Sequence, residues 1–428
     1  MEYFGFAFLC ISFLLTIVST PILVWQFVVG VFGLFPDRKK ARPAPEAPPF
    51  HRFAVVVCAR NEEAVIGALL DSLKAQDYPA EYMDVYVAAD NCSDDTAGEA
   101  RRHDARVFER VNRRQVGKGY ALRWLLEKIE AARPGAYDAV AVFDADNLVT
   151  PGFLRQVNEA LRAGADVAKG NRYAANPTDS WVSGGYALYW RSMMHFFHRA
   201  RANVGLSCFV DGTGFAFKTE LIRGEGWNTH SMVEDCEFSM QQICRGKRIV
   251  PVSGAVYYDE QPVSFAVSLR QRFRWAVGCV QCVKYCFRDA CRALVRGKAG
   301  GGASRREALD VLCYLLLTPA VALNLLSGFF SFFGLLLSPA WVVEANAALL
   351  LTPVSSWLML SAGALLLLFL DRQPLRPMLR AVLLFPLFIF SMSGIALIAL
   401  LRPKTTWKPI AHTGRKGQIC TSTTPPAR

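Results

Sequence analysis

The chain has 428 residues, is 52% hydrophobic and carries a formal net charge of +12. Such a length holds one sizeable soluble unit plus a membrane part, and the apolar share is too low for a chain built of spans alone. The positive balance invites a nucleic-acid reading, but no recognition helix or aromatic RNA-binding sheet accompanies it, so basic residues near membrane segments and around an anion site are the better account.

Phe4 to Phe35 contains no Asp, Glu, Lys or Arg, and about 20 apolar residues are enough to cross a bilayer. The opening Met1-Glu2-Tyr3 lacks the basic start of a signal peptide, and no small-residue cleavage site comes after it, so residues 1–36 are expected to remain as an anchor. Asp37-Arg38-Lys39-Lys40-Ala41-Arg42 comes next, and the positive-inside rule places it in the cytoplasm together with the central domain of the chain. Residues 37–52 read as a basic, proline-rich linker.

From residue 53 apolar runs alternate with helical patterns. Strands are predicted at Phe53 to Cys58, Met83 to Ala89 and Ala139 to Phe143, and helices at Glu63 to Gln76, Thr96 to His103, Gly119 to Ile129 and Gly152 to Arg162. This alternation predicts an α/β domain over residues 53–262 with a mostly parallel sheet and right-handed crossovers. In such sheets ligands bind beyond the carboxyl ends of the strands. Ala59-Arg60-Asn61-Glu62, Asp90 and Asp144-Ala145-Asp146 each stand just after a strand.

Residues 263–300 read as amphipathic interface helices and 301–402 as membrane segments, with spans at Leu309 to Leu337, Ala347 to Leu370 and Met378 to Leu401. Arg372, Arg376 and Arg380 draw the loop between the last two spans inside. Three spans leaving the cytoplasm would put the basic tail, residues 403–428, outside, which conflicts with its charge. Pro386 is the place where the last segment would break.

Asp144 and Asp146, two residues apart at a strand end, suit a hard divalent cation whose remaining ligands are phosphate oxygens. Taken alone, such acids more often cap the next helix or face water. Gly117-Lys118-Gly119 before a helix adds a flexible turn and a cation for phosphate. Glu234 and Asp235 open a predicted helix, where Asp235 serves either as a cap or as the general base for an acceptor hydroxyl. Gln271, Arg274 and Trp275 share one helix face, an arrangement that interfacial snorkelling would also produce. Cys279, Cys282 and Cys286 lie along one helix face without the second pair a zinc site needs, and the 12 cysteines form no disulfide framework.

The ordered set Ala59-Arg60-Asn61-Glu62, Asp90, Lys118, Asp144-x-Asp146, Glu234-Asp235 and Gln271-x-x-Arg274-Trp275 resembles the membrane-integrated inverting family 2 glycosyltransferases, which include cellulose, chitin, hyaluronan and poly-N-acetylglucosamine synthases. The resemblance covers residues 53 to about 290. It implies a GT-A type, Rossmann-like cytosolic domain flanked by transmembrane helices. Asn61, Glu62 and Asp90 would line the nucleoside pocket, Lys118 and Asp144 would approach the nucleotide, and Asp146, with Asp144, would hold Mg²⁺ or Mn²⁺. Asp235 would be the base beside Glu234. Gln271, Arg274 and Trp275 would cover the pyrophosphate and the acceptor end, and Gly212-Thr213-Gly214 resembles the acceptor-side loop. Asp211 stands where a cysteine pattern is common in cellulose synthases, and Asn91 comes after Asp90 where a second aspartate is usual.

The resemblance implies transfer from a nucleotide sugar, a UDP-sugar by preference, to a growing β-linked polysaccharide at the cytosolic face of a bacterial plasma membrane, with export through the spans. Four apolar segments are few for a channel, which leaves room for an accessory subunit or a homo-oligomer. Two alternatives are a transferase that glycosylates one membrane lipid and a catalytically inactive, nucleotide-sugar-binding scaffold.

Overall fold

The computed structural model describes residues 2–37, 49–346 and 351–404. The basic cluster from Arg38 to Arg42, most of the proline-rich linker and the basic tail from residue 405 onward lie outside the described residues. In chain order the regular elements are α1 (Glu2–Val31), β1 (Phe53–Ala59), α2 (Ile66–Lys74), β2 (Met83–Asp90), α3 (Thr96–Arg102), β3 (Arg106–Arg110), α4 (Lys118–Ala132), β4 (Ala139–Asp144), β5 (Leu148–Val149), α5 (Phe153–Arg162) and β6 (Val167–Ala174). Next come α6 (Trp181–Ser192), a π-helical turn (Met193–Arg199) that runs into α7 (Ala200–Asn203), β7 (Phe215–Lys218), α8 (Glu234–Cys244), β8 (Ile249–Asp259) and α9 (Phe265–Arg296). The chain closes with α10 (Arg305–Leu315), α11 (Leu317–Leu336), α12 (Ala340–Ala345), α13 (Thr352–Leu370) and α14 (Leu375–Leu401).

The eight strands lie in the order β3-β2-β1-β4-β7-β6-β8-β5. Four of the seven pairings are parallel, and β3, β2, β1 and β4 form one continuous parallel half. Five of the six residues from Phe53 to Cys58 are fully buried, because helices cover both faces of the sheet. One face carries Leu122, Leu125 and Ile129 of α4 with Trp227 and Phe238, and the other carries Leu69 and Leu73 of α2 with Phe153 and Val157 of α5. The chain leaves β1 toward β2 and β3 and returns on the opposite side as β4. The β1/β4 boundary is therefore a topological switch point, where α/β sheets open a ligand crevice. Cys58 pairs with both Ala88 and Asp144, so these three strand ends finish almost level.

Four helices are long and apolar enough to cross a membrane: Tyr3–Leu34, Leu317–Leu336, Thr352–Leu370 and Leu375–Leu401. α1 and α11 run antiparallel, with Gly5 against the carbonyl of Leu337, Gly334 against Leu9, and Ser12 and Thr16 hydrogen-bonded to Ser327 at 3.0 and 2.7 Å. Small residues let the two backbones approach, and hydroxyls join them where no water competes. At the other end of α1, Gly33 lies against the carbonyl of His195 in the α/β unit.

Two expectations for this region are corrected. The single span from Leu309 to Leu337 is divided at Leu316: α10 buries Val311 and Leu315 in the α/β core and pairs Asp310 with Arg201, so only α11 is long and apolar enough to cross a membrane. A buried aspartate inside a lipid-facing helix would have no such partner. Nor does the last helix break at Pro386, because α14 is continuous and Pro386 is buried within it. Its first half rests on the α/β unit: Gly184 touches Ala381, Gly185 touches Phe388, and Arg272 donates to the Phe388 carbonyl at 2.7 Å and to Ser391 Oγ at 2.8 Å. The loop between α13 and α14 is held by Asp371, which accepts from Arg191 Nη2 at 2.6 Å and meets His195 Nε2 at 2.8 Å. Arg372 consequently sits in a loop that is tied to the α/β unit.

Candidate active site

The loops after β1 and β2 lock together at the switch point. Asn61 and Asn91 both take left-handed backbone angles, φ 58° and 55°, a conformation that asparagine tolerates better than most residues. Asn61 Oδ1 accepts from the Ser93 amide at 2.8 Å, and the Glu62 amide donates to Thr96 Oγ1 at 2.9 Å. The Glu62 carboxyl faces the crevice, and burial, reinforced by Asp144, pushes its pKa up to about 8. Asp90 is buried against Arg110 of β3, whose Nη1 donates to Oδ1 at 2.6 Å, and Asn91 Nδ2 donates to the same oxygen at 2.9 Å. Arg110 escaped the sequence reading because β3 is too short to show a strand period.

At the end of β4 three separate motifs meet. The Asp144 amide donates to Thr213 Oγ1 at 2.8 Å and to Asn147 Oδ1 at 3.1 Å. Its carboxylate pairs with Nζ of Lys118, the first residue of α4, and the same ammonium donates to the Gly212 carbonyl at 2.6 Å. Burial opposes the charge on Lys118, but Asp144 and Glu234 outweigh it and raise its pKa. Gly117, at φ 138°, permits the turn that delivers this lysine. Gly214 is needed for a different reason: a Cβ there would fall 2.1 Å from the Tyr257 ring, whose hydroxyl donates to the Thr213 carbonyl at 2.9 Å.

Asp146 comes next in the turn, close to Asp259 at the end of β8. Burial, then Asp259, Asp144 and Glu62, push the Asp146 pKa well above the carboxylate range. Asp259 is also raised by burial, although Asn147 Nδ2 at 3.2 Å, Gln261 Nε2 at 2.9 Å and Arg172 Nη1 at 3.4 Å all address it. Sequence reasoning missed Asp259, since an acid at the end of a strand 113 positions after Asp146 has no local pattern. Among the described residues no group of three or more His, Cys, Asp or Glu side chains is arranged to hold a metal. Crowded, mutually repelling carboxylates nevertheless fit a hard cation that draws its other ligands from phosphate and water.

Asp235 and Glu234 open α8 on the far wall. Burial and its neighbour Asp235 raise Glu234 to about 7, while burial raises Asp235 to about 6 against the Cys236 amide and Lys118. A Cβ on Gly212 would be 4.0 Å from Asp235 Oδ2, and one on Gly119 would be 3.1 Å from Glu234 Cβ, so the starts of α4 and α8 and the Gly212 loop converge.

On α9 the expected face divides its duties. Arg274 feels Glu234, Asp144 and Asp235, although desolvation pulls its pKa down. Gln271 Oε1 accepts from the Tyr186 hydroxyl at 2.7 Å, and the Trp275 ring stands edge-on to Tyr186 and Trp190 at 6.1 and 5.7 Å. Cys282 and Cys286 are buried in the core. Below the cleft Arg172 bridges four groups: it donates to the Asp211 carbonyl at 2.5 Å and to the Tyr257 hydroxyl at 2.9 Å, approaches Asp259, and stacks on Trp190 at 4.1 Å. Asp211 itself is an internal anion, paired with Lys169 at 3.2 Å and His198 at 3.3 Å; burial would raise it, but Lys169 and Arg172 hold it well below its usual range.

The assembled crevice sets two cations, Lys118 and Arg274, and a group of acids around one loop, which suits the departure of an anionic leaving group beside a proton acceptor. Comparison with known proteins agrees. Residues 48–278 match the family described as glycosyltransferase like family 2. The chain is 29% identical over 274 residues to the β-monoglucosyldiacylglycerol synthase of Synechocystis sp., covering 60% of this chain and 55% of that protein. It is 28% identical over 234 residues to the synthase of the same name from Trichormus variabilis, covering 53% and 48%. The chain thus spans about half the length of these curated relatives. A mannosyltransferase from Pyrobaculum calidifontis, solved with GDP-Man and Mn²⁺, shares the fold with a TM-score of 0.56 at 18% identity, over 90% of this chain and 98% of that one.

Proposed function

Because the chain belongs to the glycosyltransferase like family 2, we propose that it moves a sugar from a nucleotide-linked donor to a hydroxyl of a membrane lipid, in one displacement that inverts the anomeric carbon. The observation that carries this reading is the position of Gly212, whose carbonyl receives Lys118 while its α-carbon faces Asp235. A cation for the leaving diphosphate and a base for the incoming hydroxyl are brought together across one residue.

In this scheme Asn61, Glu62 and Asp90 border the nucleoside, with Asp90 kept in place by Arg110. Lys118 and Arg274 neutralise the diphosphate. Asp235 takes the acceptor proton as the acceptor oxygen bonds to the anomeric carbon and the sugar–phosphate bond breaks. Glu234, beside it, is raised to about 7 by burial and by Asp235, so at neutral pH it shares the site with the base partly protonated. Asp146 and Asp259, with Asp144 close by, would hold Mg²⁺ or Mn²⁺, which when bound supplies positive charge to the diphosphate. Gly212, Thr213 and Trp275 stand toward the acceptor.

A lipid acceptor is supported by the names of the two cyanobacterial relatives and by the seating of the α/β unit on helices long enough to span a membrane. In that setting the unit faces the cytosol of a bacterial plasma membrane. Extension of a polysaccharide, alone or with an accessory export subunit, is the second reading, supported by the intact Gln271, Arg274 and Trp275 face. The deciding assay incubates membranes containing the full chain with a panel of labelled nucleotide sugars and partitions the product. Label in a single-sugar lipid supports the first reading, label in an aqueous polymer the second, and no transfer from any donor defeats both in favour of a scaffold.

A further inference from the structure

Where α1 leaves the apolar layer, a depression of about 650 Å³ is lined by Phe32, Phe35, Pro36, Val204 and Arg306. Beside it a recess of about 380 Å³ is bounded by Leu206, Ser207, Arg248, Lys298 and Glu307. The stretch from residue 203 to 207 lines both, and the first turn of α10 contributes Arg306 to one and Glu307 to the other. The two adjoin along this stretch without sharing a lining residue and together make a composite groove, aromatic at the end of α1 and cationic around Arg248 and Lys298.

Its cationic side chains are not ion-paired. Among the described residues no carboxylate forms a salt bridge with the side chain of Arg248, Lys298 or Arg306, all three of which are exposed, although Asp166 accepts the Arg248 amide at 2.7 Å. The one acid in the groove, Glu307, is engaged by the Ser304 amide at 3.0 Å and its hydroxyl at 2.8 Å in the cap of α10. Nor does the groove belong to the catalytic crevice. Arg248 precedes the first residue of β8 and Asp259 is its last; β6 spans the same length in the seven steps from Val167 to Ala174, which at about 3.3 Å each leaves the two roughly 20 Å or more apart.

We propose that this groove binds one anionic phospholipid of the surrounding membrane, with its phosphate against Arg248, Lys298 and Arg306 and its acyl region against Phe32, Phe35 and Val204. Charge complementarity selects the occupant: an apolar surface grading into unpaired cations at a membrane boundary matches a lipid that grades from acyl chain to anionic headgroup. A soluble phosphate would have no use for the aromatic end. The occupant would fix the height of the α/β unit on the bilayer, because α1 and α10 are already joined there through Trp25 Nε1 and Asp310 at 2.8 Å. This inference stands apart from the proposed transfer reaction.

The test uses the purified full chain in detergent, titrated with phosphatidylglycerol or phosphatidylcholine and read by native mass spectrometry. One phosphatidylglycerol should be retained in preference to phosphatidylcholine. The triple variant Arg248→Gln/Lys298→Gln/Arg306→Gln should weaken it on the order of 100-fold, given the contribution of each basic residue to anionic-lipid binding. Equal retention of the two lipids by the wild-type chain overturns the proposal whether or not the variant folds. So does unchanged binding by a variant that melts normally, or displacement of the lipid by millimolar inorganic phosphate, which would make this a free-anion site.

Discussion

Glu237, and not Asp235, ties α8 to the turn that leads into it. The Glu237 carboxylate, fully buried, accepts the amides of His230 at 2.9 Å and Ser231 at 2.6 Å, which anchors the turn before the helix. Asp235 meets the Cys236 amide and its own, both of which asparagine can also engage, and lies beside Gly212 in the crevice. Asp235→Asn should therefore leave the melting temperature and nucleotide binding nearly unchanged while lowering transfer by a factor of ~10²–10⁴, the usual contribution of a positioned base. Near-normal transfer by that variant, measured with saturating donor, would remove Asp235 from the proposed role.

The raised pKa of Asp235 fixes the acidic limb of the rate profile. A base must be ionised, and burial raises this one to about 6, so the transfer rate should fall about tenfold for each pH unit below that value. Log rate against pH for wild type should bend near 6. A profile flat down to pH 4.5 would mean that another group accepts the proton.

Stability without metal should move the other way. Glu62, Asp146 and Glu234 hold protons more tightly when folded than their ordinary values of 4.5, 3.8 and 4.5 imply. Between pH 6.5 and 8 the folded chain thus binds more protons than the unfolded one, and stability falls as pH rises. Asp211, held low, titrates far below this window and adds nothing to the slope. Millimolar Mn²⁺ should restore stability at pH 8 by replacing those protons, and Asp146→Asn or Asp259→Asn should blunt the gain. Thermal melts at the two pH values, with Mn²⁺ and with EDTA, measure it; equal shifts in both variants and the wild type would place the ion elsewhere.

Arg201 and Asp310 are buried ion partners at 2.9 Å, joined by Gln26 at 2.6 Å and Trp25 at 2.8 Å from α1. Arg201→Ala strands the carboxylate and should cost about 3–5 kcal/mol, whereas replacing both partners by apolar residues of similar volume should recover most of it. Detergent melting curves for the single variants Arg201→Ala and Arg201→Met and the double variant Arg201→Met/Asp310→Leu make the comparison.

Local pattern made much of this legible. The β1 and β4 runs, the acids at their ends and the glycines around Lys118 each announce themselves within a few residues, and parallel topology then brings them to one edge. What was hidden depends on contacts far apart in sequence. Arg110 meets Asp90 only because β3 pairs with β2, Asp259 reaches Asp146 only after β8 inserts beside β6, and Glu237 can accept the His230 amide only because the turn before α8 folds over it. The break before α11 was missed because hydropathy averages over Asp310, whose partner lies 109 residues away.

Lys118 and Asp144 satisfy each other across the crevice before any nucleotide arrives. A diphosphate on its own would have to pull the lysine from its carboxylate and leave that anion stranded, and a cation on its own would strand the lysine. Arriving together, they would let the pair exchange partners: Lys118 would turn to the phosphate, and Asp144 would be free to help hold the cation. Such a crevice is reluctant toward either ion singly and receptive to the pair, so donor and metal should each tighten the other's binding without a lid or a domain movement to link them.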